Sequence, residues 1–445
     1  MSGDLLKDEA TLRERVEALL KDAKRQGATM AEAGLSVESG LSVTVRLGEV
    51  ETIEYHRDKG LGVTVYMGKR KGSASTTDFS PAAIRETVKA ACAIARHAEE
   101  DPCAGLPDPD LLAWEYPDLD LYHPWDIDAE GAIALARDCE KAALALDKRI
   151  QNSEGASLSS HQGMRVYGNS HGFVGAYPST RHGLSCSVIA REGEEMQREY
   201  WYTAGRAKED LEAPEGVGEK AARRALARLG GRTIPTCKVP VVFEAPVAGS
   251  LLAHLVSAIR GGALYRKASF LLDHLGRRIF PDFVHIHEQP HLKRALGSAP
   301  FDNEGVATHA HDIVAAGRLQ SYVLDNYSAC RLKMRTTGNA GGVHNLIIDA
   351  GPHDLEELLG HMGRGLLVTE LMGMGVNIVT GDYSRGASGF WVEGGAIQYP
   401  VQEITIAGNL RDMFQGFLAV GKDVDRRGNI HTGSLFIESM TVAGD

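Results

Sequence analysis

The sequence predicts an α+β protein in two parts, a mixed N-terminal domain of antiparallel strands and helices over residues 1–231 and a β-rich C-terminal domain over 232–445. Three observations carry this. At 445 residues the chain is too long for one ordinary core. Its apolar spacing alternates between helical and two-residue periods through the first half. Its 50 glycines, dense between Gly373 and Gly408, exceed average usage and imply many turns and close backbone approaches.

Taken in order, residues 7–26 place Ala10, Leu12, Val16, Leu19, Leu20 and Ala23 near helical spacing, an amphipathic opening helix. LSVTVRLGEVETIEYHRDKGLGVTVYMGKRKGSAS then alternates, which predicts a meander of strands near 41–47, 50–56, 61–67 and 71–75 separated by glycine-containing turns. Ser80-Pro81 offers an N-cap and a preset first residue for a helix to about His97. The prolines at 102, 107, 109, 117 and 124 interrupt regular structure, so this passage is expected to wrap the surface. Helix returns at 128–147, short strands at 150–203, and a last helix at 214–229 stops at Gly230-Gly231, the expected domain boundary. The helix-then-strands texture thus occurs twice, without a residue-level repeat.

The second half opens with a strand near Val239–Phe243 and a helix containing LLAHLVSAIRGG (251–262), followed by short strands and a helix at 353–364. Gly394-Gly395 and Arg427-Gly428 sit between apolar segments and read as hairpin turns.

Net charge of −11 with no block of Lys or Arg would repel a phosphate backbone over most of the surface, so no nucleic-acid partner is expected. The charged N-terminus and the lack of an uninterrupted apolar stretch predict neither export nor a membrane span. The six cysteines show no zinc-finger or CxxC spacing and read as reduced, mostly buried thiols of a cytoplasmic protein.

The helix after the first C-terminal strand holds one histidine. At 100° per residue Val247, Leu251, Leu255 and Ile259 form its apolar stripe, and His254 lies at the edge beside Ser250 and Ser257. A zinc helix of the HExxH kind needs two imidazoles and a carboxylate to activate water. No carboxylate lies between Ala245 and Lys267, so His254 alone cannot hold a catalytic ion. Two other places offer imidazole pairs: His285-Ile286-His287 would set both rings on one strand face, with Glu288 and His291 close behind, and His309-Ala310-His311-Asp312 is a similar pair. Such pairs also arise by chance in a chain with 17 histidines, and a surface strand end is the plainer alternative.

Several segments together, RKGSASTTDFSP (70–81), DPCAGL (101–106), YGNSHGF (167–173), YRKASFLLDHLG (265–276), FDNEGV (301–306), TTGNAGGVHN (336–345), VTELMGMGVNIVTGDYSRGASGFWVEGGAIQYPVQEITIAGNL (368–410) and ESMTVAG (438–444), resemble the PmbA (TldE) branch of the TldD/PmbA family. The resemblance runs in order over nearly the whole chain. It implies a cytoplasmic peptidase system in which the TldD branch carries HExxxH on the helix after the first C-terminal strand, binds zinc and cuts. A PmbA-type chain pairs with it as a heterodimer that degrades unfolded peptides and trims modified-peptide precursors. On that helix the motif positions fall at Ala253, His254 and Ala258, so all three are replaced. The TldD branch also brings a C-terminal cysteine, whereas the last cysteine here is Cys330.

The resemblance therefore implies a non-catalytic subunit that binds no metal of its own, with zinc in the TldD-type partner. A peptide could be held as an added strand at a sheet edge, near the glycines at 373–375, 386–389 and 394–395. Asp382, Tyr383, Arg385, Glu393, Tyr399 and Glu403 are the candidate substrate or partner contacts. Two alternatives stand beside this reading: a self-sufficient metallopeptidase with metal on His285 and His287, and a peptide-binding or regulatory protein of the gyrase-modulator kind without proteolysis. A surface built to pair with a homologous fold could also pair with itself, giving a homodimer when the partner is missing.

Overall fold

The computed structural model describes residues 5–444; the outermost positions of the two predicted domains, 1–4 and 445, lie outside the described residues. The first half is helix α1 (Leu5–Arg25), strands β1 (Met30–Arg46), β2 (Glu49–Met67) and β3 (Arg70–Thr76), and helix α2 (Pro81–His97). It then repeats as α3 (Ala129–Leu146), β4 (Ile150–Asn169), β5 (Val174–Glu192), β6 (Glu195–Gly205) and α4 (Pro214–Ala227). All six strands form one antiparallel sheet in the order β3-β2-β1-β4-β5-β6, with β1 against β4. The twofold helix-and-strand texture of the sequence is thus a structural duplication whose halves meet at the sheet centre.

Alternation along β1 explains where the helices go. Ala31, Ala33, Leu35, Leu41, Val43 and Val45 are buried on one face. Helices α1 and α2 cover one end of that face through Val16, Leu19, Val88 and Ala91. Helices α3 and α4 cover the other end through Ala136, Cys139, Val217 and Ala221. Between them, over Val37 to Leu41, an open groove of about 980 Å3 remains, flanked by α1 and by Trp125–Ile127.

Two expectations change here. Gly60 lies inside the 19-residue β2 rather than in a turn, because the sheet continues past it on both sides, pairing with β1 at Ser36. Likewise 150–203 holds three long strands rather than several short ones. The helix ends agree with their caps: Ser80 accepts from the Ala83 amide and Asp128 from the Gly131 amide.

The second half runs β7 (Cys237–Phe243), α5 (Ala245–Ile259), α6 (Gly261–Tyr265), β8 (Ile286–Glu288), β9 (His311–Ala315), β10 (Arg318–Leu319), α7 (Asn326–Leu332) and β11 (Leu346–Ile348). It continues with α8 (Leu355–Met362), β12 (Gly365–Met372), β13 (Asp382–Glu393), β14 (Ala396–Asn409), α9 (Leu410–Gln415), β15 (Phe417–Val420), β16 (Ile430–His431) and β17 (Leu435–Ala443). One sheet has the order β14-β13-β12-β7-β17-β15, and a further β14–β17 pairing closes it on itself. The other is β10-β9-β8-β11-β16. A single large core containing Phe243, Phe280, Phe414 and Phe417 lies beneath both.

Gly394 and Gly395, with φ of 60° and 76°, make the β13–β14 hairpin as expected, since two consecutive left-handed residues suit a tight turn. Arg427-Gly428 does not join two strands: β15 and β16 belong to different sheets, and the chain turns there within a single antiparallel bridge between Asp425 and Thr432. The cysteines also differ from expectation. Cys103 and Cys330 form a disulfide with Cα atoms 5.5 Å apart, joining the proline-rich passage to α7, while Cys92, Cys139 and Cys186 are free and buried. A separation of 227 residues leaves no local trace of such a pair. Among the described residues no helix is long and apolar enough to cross a membrane.

Candidate functional site

Helix α5 follows the central strand β7 directly, with Glu244 between them and Pro246 in its first turn. Leu251, Leu252, Leu255, Ala258 and Ile259 face the core. The other side, through Gly249, Ser250 and Ala253, lines an open pocket of about 240 Å3 together with Tyr202, Asp425, Asn429 and Ile430. Its wall is stiff. Arg427 lies over the rings of Trp201 and Tyr202 at 4.1 and 4.3 Å and grips Asp425 with both arms at 2.9 and 2.7 Å. Burial alone would raise the Asp425 carboxyl, but the guanidinium outweighs it and holds the group below the usual range.

The three positions singled out on α5 separate. Ala253 is half-buried and presents a methyl group to the pocket. Ala258 is fully buried in the core. His254 packs edge-on against Tyr383, ring centres 5.9 Å apart, with its Nε2 buried and unpartnered. Burial first, and then the Arg385 charge, push the His254 pKa down, so the ring is neutral near pH 7. Two methyl groups and one enclosed imidazole do not fit a hydrolytic zinc ion, which needs at least three donors.

The six candidate contacts are only partly gathered. Tyr383 and Arg385 sit two apart on β13, on the side that faces His254. The Tyr383 hydroxyl is enclosed, and burial pushes its pKa up to about 12. Arg385 donates from Nε to the Gly373 carbonyl at 3.0 Å. Asp382, by contrast, ties the preceding turn through Thr380 and Asn409. Glu393 lies exposed beside the hairpin glycines, and Tyr399 lies under the Arg232 guanidinium at 4.7 Å. Glu403, with φ of 54°, is the exposed residue of a bulge where β14 slips against β13. Nor do Gly386 and Gly389 mark an open edge, because β13 is paired on both sides. A Cβ at Gly389 would meet the Leu367 carbonyl oxygen at 1.8 Å, so this glycine serves close strand packing.

The imidazole pairs behave differently from each other. His285 and His287 stand on one side of β8 with rings 4.9 Å apart, and both reach Asp349: His285 Nδ1 at 2.7 Å and His287 Nε2 at 3.0 Å. Among the described residues they are the one group of three whose ligand atoms all lie within 4.8 Å of one another. The pair at 309 and 311 does not converge on a shared acid. Asp312 turns to His285 instead, and His311 points toward the buried Glu288 at 3.7 Å.

Residues 31–95, 122–229 and 236–444 match the first, central and C-terminal domain models of the PmbA/TldA metallopeptidases. The chain belongs to the PmbA/TldD family. It is 54% identical over 414 residues to Metalloprotease PmbA of Escherichia coli O157:H7, which covers 93% of this chain and 92% of that one. It is 25% identical over 392 residues to the Metalloprotease TldD homolog of Haemophilus influenzae, covering 83% and 80%. The stronger likeness places it in the PmbA branch. A solved structure from Bacteroides thetaiotaomicron, designated a candidate modulator of DNA gyrase, superposes with a TM-score of 0.92 at 30% identity over 97% of this chain and 99% of that one.

What positions the PmbA-branch helix was not apparent in the sequence. Glu244, immediately before α5, accepts from Arg224 of α4 with both oxygens at 3.0 Å. Arg228, one turn further on α4, binds the buried Glu199 of β6 at 3.1 Å and Glu370 of β12 at 2.6 Å. This ion cluster fastens the entrance of α5 to the first sheet. Only the spacing of Arg224 and Arg228 on one helix face hinted at it.

Proposed function

We propose that this PmbA-branch chain is the non-catalytic, TldE-type subunit of a heterodimeric zinc metallopeptidase, active on unfolded peptides and modified-peptide precursors beside a TldD-type partner. One observation carries the reading: on α5, methyl groups stand at Ala253 and Ala258, and His254 is enclosed with its Nε2 off any acid. A hydrolytic ion therefore belongs to the other polypeptide. This chain's own part is to shape the chamber. Tyr383 and Arg385 hold a fixed positive charge beside α5, where Arg385 can meet a carboxylate of a peptide or of the partner. The loop from Gly373 to Gly381, with Met374 almost fully exposed, is the flexible-composition segment nearest that charge. In the partner's absence the pairing surface would join two copies of this chain.

The test is peptide hydrolysis by this chain alone, by a TldD-type chain alone, and by the mixture. The reading expects chelator-sensitive cleavage to appear or rise strongly only in the mixture. Cleavage by this chain alone, with a full equivalent of zinc, would favour a self-sufficient peptidase. No gain on mixing would favour a purely regulatory protein, the role that the Bacteroides designation names. With a net charge of −11, any such action on a DNA enzyme would run through protein contacts.

A further inference from the structure

We propose that His285, His287 and Asp349 form a binding site for a divalent transition metal, zinc or a similar borderline ion, separate from α5. The backbone builds the site. Ile286 points into the core, so strand alternation turns both flanking imidazoles to the opposite side. Strand β11 pairs with β8 so that Ile348 lies opposite Ile286, and the Asp349 amide donates to the His285 carbonyl at 3.0 Å. The carboxylate is thereby delivered between the two rings by the register of the sheet rather than by a free side-chain rotation.

The three donor groups lie close enough to share an ion. Around a tetrahedral zinc with bonds of about 2.0–2.1 Å, ligand atoms stand roughly 3.3 Å apart. Here His285 Nδ1 and His287 Nε2 lie 2.7 and 3.0 Å from the Asp349 oxygens, and all three groups fall within 4.8 Å. Side-chain adjustment that brings the three donors to that spacing would admit the ion, leaving at least one position open to water or to a donor from another molecule.

The outer partners are also those a metal site requires. A ligating imidazole is normally oriented by an acceptor on its far nitrogen. For His285 that acceptor is Asp312 on β9, 2.9 Å from Nε2. For His287 it is the Gln289 side-chain amide, 3.0 Å from Nδ1, whose oxygen takes the bond when the amide is turned about its axis. As they stand, His285 Nδ1 and His287 Nε2 donate to Asp349; an ion would take the place of those two protons, with the far nitrogen of each ring left as the donor. Two imidazoles with one carboxylate select zinc, nickel or cobalt over magnesium and calcium, which prefer oxygen alone. The bound ion would fasten β8 to β11, with Asp312 of β9 as a positioning residue. This site is independent of the pairing proposed above: an ion here without peptide cleavage leaves that reading intact.

The test uses the full chain, freed of metal with a chelator and dialysed. Cobalt(II) titration should give one equivalent of a visible d–d band, and zinc should displace it. Competition against a chromophoric chelator should place zinc binding at micromolar or tighter, and zinc should raise the unfolding midpoint. H287A and D349N should each lose the band and the thermal shift while keeping the far-UV spectrum of the wild type. D312N should weaken zinc about 10- to 100-fold without abolishing it. Two results would overturn the site. One is the absence of stoichiometric binding at 100 µM metal, which would leave His285 as an imidazolium clamped between two aspartates. The other is wild-type binding by both H287A and D349N.

Discussion

His254 shows how far single residues can be read. Its place on the edge of α5 follows from 100° steps, and alanine stands in the sequence at 253 and 258, the positions to which the family resemblance assigns motif histidines. Its enclosure against Tyr383 and the nearby Arg385 charge arise from β13, more than 120 positions later, and no periodicity announces them. Arg385 donates one hydrogen bond and is only half-buried, so Arg385→Ala should leave the thermal midpoint within about 2 °C of wild type. It should nevertheless lower cleavage by the assembled pair at least several-fold; unchanged cleavage would remove Arg385 from the chamber. A second residue makes a pH prediction. Burial, reinforced by Asp302 and Glu32, raises the Glu304 pKa from 4.5 to about 8. A carboxyl whose folded pKa is raised contributes stability that is complete below about pH 4.5 and is lost as pH rises toward 8. The difference in urea midpoint between wild type and Glu304→Gln should therefore move against the wild type between pH 5 and pH 8. A pH-independent difference would mean that Glu304 ionises normally.

At the scale of elements, the helix after Ser80-Pro81 was legible because its cap signal is local; Asp128 and the 354–357 box, which the structure adds, cap their helices in the same way. The long strands were not legible, since glycine reads as a turn whether or not neighbouring strands continue past it, as at Gly60. Nor was the Arg224–Arg228 cluster, in which charges from α4, β6, β12 and the start of α5 meet. Glu199 is 5% exposed, so removing its partner would strand a buried charge. Arg228→Ala should cost about 3 kcal/mol in chemical denaturation, the scale of a broken buried pair; a loss below about 1 kcal/mol would show that Arg224 suffices. The Cys103–Cys330 bridge closes a loop of more than 200 residues and should contribute about 2–4 kcal/mol. Reductant should lower the unfolding midpoint of the wild type and leave Cys330→Ser unmoved. Equal shifts in both would place the redox effect elsewhere.

Across the whole molecule, duplication governs the first half and closure the second. The sequence texture showed the duplication, but the sheet order that joins the halves through β1 and β4, and the β14–β17 contact that closes the later sheet, depend on pairings far apart in the chain. The result sets α5 against the closed sheet at β12 and against β16 of the smaller one, beside an open pocket walled by Tyr202 and Asp425, with no full set of metal donors on the helix. The division of labour that this implies is open to one direct measurement: cleavage of an unstructured peptide by a one-to-one mixture with a TldD-type chain, in two reciprocal variants. Replacing His254 by alanine here should preserve most of the activity, whereas replacing one metal-binding histidine of the partner should abolish it. Loss of cleavage with the first change and survival with the second would contradict the account.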